Sequence, residues 1–155
     1  MTTGHELPMA LRAAYLALHR RSEAAFAPLG VTADQFVLLA TLARGGHALT
    51  QRQLARRMAS DPSTVRAMLV LLERRGLVGR DAHPTDARAR TVVLTAAGKR
   101  AFARLWAAGE PIRAGMLAAL TPGEADALVG LLARVAGALT PEADRVPLTP
   151  SEDDA

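Results

Sequence analysis

The apolar positions of this chain recur at helical spacing over most of its length, and at strand spacing in one short stretch. Between Glu6 and Ala27, the residues Leu11, Tyr15, Leu18, Ser22 and Phe26 share one stripe, which Pro28 and Gly30 end. Thr32 followed by Gln35 is a capping box, in which each side chain satisfies an otherwise unpaired backbone N–H. The helix it opens turns Phe36, Leu39, Leu42 and Ala43 to one side and stops at Gly45-Gly46. Thr50 and Gln53 repeat the box ahead of a short helix, Gln51 to Met58, that buries Leu54, Ala55 and Met58. After Ala59-Ser60, Asp61 takes the N-cap position and Pro62 the first helical one. That helix runs to Arg75, with Gly76 as its C′ residue and Val65, Met68, Leu69 and Leu72 as its inward stripe.

Leu77 to Arg80 and the β-branched Thr91 to Leu94 read as two strands around a turn region, Asp81 to Arg90. Thr95 caps a long helix over residues 96 to 119, and the Pro111 inside it predicts a kink or a split. Thr121 and Glu124 form a third capping box before a last helix striped with Leu128, Leu131, Leu132, Val135 and Leu139. The pattern predicts a mainly α fold of six helices with a small β wing of two to three strands. Residues 31–95 make a winged helix-turn-helix. Residues 1–30 and 96–140 make a helical dimerisation region. Residues 141–155, rich in proline and acid, are an expected disordered tail.

Composition sharpens this picture. Half of the residues are hydrophobic but only 3% are aromatic, so the core must be Leu, Ala and Val packed as helices. A length of 155 residues suits one core plus an assembly element. There is no cysteine, which removes disulfides, thiol redox sensing and cysteine-bound zinc. The first residues lack the basic and apolar regions of a secretory signal. Apolar runs such as Ala67 to Leu72 are far too short to cross a bilayer. These features predict a soluble cytoplasmic protein, associated with the nucleoid and without a membrane partner.

The charge is lopsided. From Arg44 to Arg104 stand 13 basic residues and 4 acidic ones, a balance of +9 in a chain whose net charge is +4. The remainder therefore carries −5. Positive charge concentrated on one supersecondary unit is what a phosphate backbone selects for. All but Lys99 of the basic residues are arginine, whose planar fork suits phosphate or guanine. In a helix-turn-helix the second helix lies in the major groove with its N-terminal residues at base edges. Those residues are Ser63, Thr64, Arg66 and Ala67. Arg66 suits guanine, Ala67 and Val70 suit a thymine methyl, and Ser63 and Thr64 at the positive helix end suit phosphate. Arg88 and Arg90 in the turn region suit the negative potential of a minor groove. Asp86 can pair with an arginine and hold the turn in shape. Arg52, Arg56, Arg57, Arg80 and Lys99 are candidates for phosphate contact. The competing reading makes these residues a solvated helix face and a floppy hairpin.

A family resemblance rests on the same segments. Asp86-x-Arg88-x-x-x-Val92 matches the D-x-R-x-x-x-V/L/I wing motif of the MarR family of bacterial transcription regulators. "LTQRQLARRM", "DPSTV", "LERRGLV" and "LTAAG" resemble that family, in the family's order. The likeness is detailed from Leu29 to Lys99 and extends by layout over the remaining helices. It implies a homodimer built from the N- and C-terminal helices, a recognition helix in the major groove and the wing arginine in the minor groove. It also implies, in many members, a small ligand between the two regions, with an aromatic or apolar acid as the plausible inducer. The sequence departs from the family where Val70 and Leu71 replace a common acidic–basic pair, Ala59 a common glycine, and Arg66-Ala67 a frequent Ser-Arg pair.

The dimer also follows from the residues, because the first and the last helices carry more apolar surface than a compact head can cover. The expected function is that of a DNA-binding regulator, in the first instance a repressor, acting on a near-palindrome. The alternative is a winged-helix interaction module that meets an acidic protein partner. Tyr15, His19 and Trp106 are candidates to line a ligand pocket, or else ordinary core or interface residues. The four histidines, His5, His19, His47 and His83, are scattered, and no metal or cofactor is expected. No catalytic constellation is present, so an enzyme is not expected.

Overall fold

The computed structural model describes residues 1–2, 4–45, 48–83, 85–86 and 88–144. The elements follow the predicted order. They are α1 (Glu6–Phe26), a 3-10 turn (Ala27–Leu29), α2 (Ala33–Arg44), β1 (Leu49–Thr50), α3 (Gln51–Arg57) and α4 (Pro62–Arg74). There follow β2 (Val78–Ala82), β3 (Arg90–Leu94), α5 (Ala96–Ala108), α6 (Glu110–Ala118), α7 (Pro122–Leu139) and a 3-10 turn (Glu142–Asp144).

All three capping boxes form. Thr32, Thr50 and Thr121 each accept from the backbone N–H three residues on, and Gln35, Gln53 and Glu124 return the bond. Asp61 stands at the N-cap of α4 but does not cap it. Its carboxylate accepts from the Ser63 hydroxyl instead. Gly76 adopts φ +72°, the left-handed conformation its C′ position requires.

Among the described residues seven α-helices stand where six were expected, because the long helix divides. A proline ring clashes with the carbonyl four residues before it, here that of Ala107, so the chain breaks upstream of Pro111, at Gly109. Arg113 spans the break. Its Nη2 donates to the Trp106 carbonyl at 2.7 Å and to the Glu110 carboxylate at 2.8 Å. Its guanidinium lies 3.5 Å over the Trp106 ring.

The sheet is antiparallel with order β1-β3-β2. Leu49 pairs with Val92 and Ala82 with Arg90, so β3 is central and the β2–β3 hairpin extends as a wing. The core is continuous from Phe26 to Leu105 and takes Leu38, Leu39, Leu54, Val65, Leu69, Leu72 and Val92 from α2, α3, α4 and β3. The three phenylalanines and the single tryptophan form one stack. Ring centroids are 4.4 Å apart for Phe26–Phe36, and 6.0 Å for both Phe36–Phe102 and Phe102–Trp106. The stack thus runs from the core out to a partly exposed indole.

Helix α5 docks on the α4–β2 connection at very close range. The Leu77 carbonyl accepts from the Thr95 backbone N–H at 3.1 Å, and a Cβ on Gly98 would collide with that same carbonyl. Burial then stops. Helices α6 and α7 bury no residue, and α7 turns from α6 by 104°. No single helix among the described residues is long and apolar enough to cross a membrane.

Candidate nucleic-acid interface

Helix α4 presents two faces. Val65, Met68, Leu69 and Leu72 are buried, while Ser63, Thr64, Arg66, Ala67, Val70 and Arg74 are exposed. The turn before it fixes the angle to α3. Met58 N–H donates to the Leu54 carbonyl, Ala59 to Arg56 and Ser60 to Ala55, all at 3.0 Å. Ala59 is held at φ +51°, a left-handed conformation that costs a residue with a Cβ about 1 kcal/mol. At its other end α4 is anchored by Arg75. Its guanidinium donates to the carbonyls of Gly30 and Leu29, which tie the helix to the α1–α2 connection.

The wing tip is a hydrogen-bonded structure. Asp86 holds it, but not by pairing with a guanidinium: its Oδ1 accepts from the Arg88 backbone N–H at 3.0 Å. His83 Nδ1 accepts from the backbone N–H groups of Thr85, at 3.2 Å, and Asp86, at 3.0 Å. Backbone bonds His83–Ala89 and Ala89–Asp86 close the loop. Arg88 and Arg90 are exposed on this scaffold, and neither enters an ion pair among the described residues. Pro84 and Ala87, also in the turn region, lie outside the described residues.

The candidate phosphate contacts separate into different groups. Arg52 and Arg57 are exposed on α3. Arg56 is on the same helix, but its Nη2 donates to the Ala143 carbonyl at 3.2 Å. Arg80 is engaged within the protein. Its Nε donates to Glu73 Oε1 at 2.7 Å, and both Nη groups reach Gln51 Oε1 at 3.3 and 3.4 Å. This residue joins the base of the wing to α4 and α3. Lys99 stands apart on α5, where it lines a surface cavity of about 410 Å³ with Leu42, Ala48, Val93 and Phe102. On α3, α4 and the wing, the exposed guanidinium groups without a hydrogen bond or ion pair among the described residues are therefore Arg52 and Arg57, Arg66 and Arg74, and Arg88 and Arg90.

The ligand candidates fall on two helices, α1 and α5. Tyr15 and His19 stack on α1 with centroids 5.7 Å apart, and His19 lies 3.9 Å from Glu23. Trp106 is on α5 beneath Arg113. None of the three lines the 410 Å³ cavity or a second cavity of about 430 Å³ bordered by Leu77, Arg100 and Arg104. Among the described residues there is no cluster of three or more His, Asp or Glu suited to a metal ion.

Glu73, Gln51 and His83 organise the interface and were not singled out for it from the sequence. Glu73 had a signal, since it is one of only four acidic residues in the cationic stretch. The role of His83 depends on the curl of the turn and had none.

Comparison with known proteins points one way. A model of the MarR family matches residues 29–89. A Thauera aromatica protein, provisionally named as the transcriptional regulator of the hcr operon, is 34% identical over 106 residues, which are 68% of this chain. The match spans 63% of that relative's length. A mutant MarR from E. coli, solved in complex with operator DNA, is 26% identical with a TM-score of 0.74, over 84% of this chain and 94% of that one. CouR from Rhodococcus jostii, solved with p-coumaroyl-CoA, shares the fold at 21% identity and a TM-score of 0.80, over 89% of this chain and 96% of that one.

Proposed function

The chain belongs to the MarR family of winged helix-turn-helix transcription regulators, and from that premise we propose that it represses transcription by binding a short inverted repeat as a homodimer. The observation that carries this reading is the two-sidedness of α4. Its apolar half is fully used in the core, and its other half offers Ser63, Thr64, Arg66 and Ala67 outward. Those groups suit base edges in a major groove. Arg88 and Arg90, on a tip ordered by Asp86 and His83, enter the adjacent minor groove. Arg52, Arg57 and, once freed from Ala143, Arg56 neutralise phosphates, and Lys99 adds a phosphate contact from α5. Arg80 keeps the wing at a fixed angle to the recognition helix.

Two copies are needed. Helices α1, α6 and α7 leave Leu7, Tyr15, Leu117, Val129 and Leu139 exposed, the last three at 63%, 69% and 79%. A second chain covers these faces, and residues 1–30 and 96–140 make the dimer. Two recognition helices about a two-fold axis then fit half-sites roughly 10 bp apart. A small aromatic or apolar acid releases the dimer from DNA. Tyr15, His19 and Trp106 stand on faces the partner covers, so a site built from them is completed by the second chain.

Selection of bound sequences from a random duplex pool, followed by titration over a range of salt, tests the reading. A preferred near-palindrome with affinity falling steeply in salt is expected. Weak, sequence-blind binding overturns it in favour of a protein-interaction module.

A further inference from the structure

Large exposed apolar side chains are grouped on α1, α6 and α7, with few elsewhere. Two of the exceptions are neighbours on the recognition helix: Val70 is 43% exposed and Leu71 is 49% exposed. Ala67, Val70 and Leu71 stand at i, i+3 and i+4 on α4, so they form one apolar patch. Ala67 is also exposed. Arg66 borders the patch on the N-terminal side and Arg74, four residues beyond Val70, on the C-terminal side, both exposed. The patch is thus a small water-facing hydrophobic area inside a cationic surface. Helices that pack on other helices bury such positions, as this one does with Val65, Met68, Leu69 and Leu72 on its opposite side.

The guanidinium border restricts the occupant to something anionic that presents an apolar group at its centre. A duplex major groove offers one such group, the C5 methyl of thymine. The spacing agrees. Ala67 and Val70 are about 4.5 Å apart along the helix axis, comparable to the roughly 3.4 Å between successive bases of a strand. We infer that Val70, with Ala67 and Leu71, is a specificity-determining surface that reads the methyl groups of adjacent thymines, next to a guanine read by Arg66. The inference rests on the DNA-binding reading above and gives it a chemical content: each half-site carries a thymine step at this position.

The test removes only the methyl group and leaves the protein untouched. In the operator obtained by selection, each thymine of the half-site is replaced in turn by deoxyuracil, and affinity is measured with the full-length protein. Loss of one buried methyl contact predicts about a three- to fivefold weakening at one or two neighbouring positions. With Val70→Ala protein, the same substitutions have little further effect, because the partner surface is already gone. Val70 is exposed, so that variant keeps the wild-type thermal unfolding, and a second variant, Leu71→Ala, checks the edge of the patch. Half-sites without a thymine step, or deoxyuracil operators bound as tightly as the parent, overturn the inference while leaving specific DNA binding in place. Failure to bind any sequence preferentially overturns the functional reading itself, and this assignment with it.

Discussion

Helices α4 and α7 are both rich in leucine and valine and both begin with a proline, yet α4 buries four residues and α7 buries none. The difference lies in what each meets. Helix α4 is surrounded within its own chain by α2, α3 and β2, so its apolar stripe is spent on folding and its polar stripe is left for recognition. Helix α7 turns away from α6 by 104° and presents Leu128, Val129, Leu131 and Leu132 to solvent. One helix is completed by the fold, and the other is the surface on which the proposed dimer rests. The chain thus divides into a part whose apolar side chains are buried within it and a part whose apolar side chains are exposed.

The contrast can be broken most severely at α7. The double substitution Val129→Asp with Leu132→Asp is expected to give a monomer by light scattering and to weaken operator binding by more than about a hundredfold, the loss of bivalency. Thermal unfolding of the part from α2 to β3 should change little. If the variant stays dimeric, the assembly surface lies elsewhere. Next in size is the joint between the two parts. Gly98→Ala drives a methyl group into the Leu77 carbonyl and should cost about 2–3 kcal/mol of stability, read by denaturant unfolding. Unchanged stability would mean that α5 shifts freely on the α4–β2 connection.

Within the recognition part, two arginines of the wing sharpen the comparison. Arg88→Ala should cost about 1–3 kcal/mol of specific binding and lower the salt slope by about one. Arg80→Ala removes the ties to Glu73 and Gln51, and should leave the slope near the wild-type value while proteolysis of the wing accelerates. Equal slopes for both variants would erase the distinction between contact and support. The smallest effect is at the helix-turn-helix corner. Ala59→Gly relieves a left-handed backbone and should stabilise the fold by about 0.5 kcal/mol, partly offset by the freedom glycine gains when unfolded.

How much of this was legible in the sequence depended on range. Capping boxes and the C′ glycine are encoded by residues three or fewer positions apart, and Thr32, Thr50, Thr121 and Gly76 all act as their spacing implied. The break at Gly109 was visible only as a nearby proline, because the clash falls one turn upstream of the residue that causes it. Asp61 departs from its expected capping role because two donors compete for its carboxylate, the backbone N–H groups of the first turn and the Ser63 hydroxyl, and the hydroxyl takes it. Charge and a place at the base of the wing make Arg80 a candidate phosphate contact, while its ties within the protein depend on range. Its partner Glu73 is seven residues away and Gln51 twenty-nine, and only the folded turn brings them together. The outward set on α4 was legible because helix periodicity fixes which side a residue occupies. The candidate ligand residues were not, since Tyr15 and His19 on α1 and Trp106 on α5 are far apart in sequence and no local spacing relates them.

The single indole of this chain sits beside the α5–α6 break, with the Arg113 guanidinium resting on its ring and a phenylalanine next to it. Any rearrangement that opens the α5–α6 break must lift that cation away and change the polarity around the chromophore. Intrinsic emission from Trp106, excited at the red edge where tyrosine is silent, is therefore a built-in optical reporter on the α5–α6 break that needs no attached label.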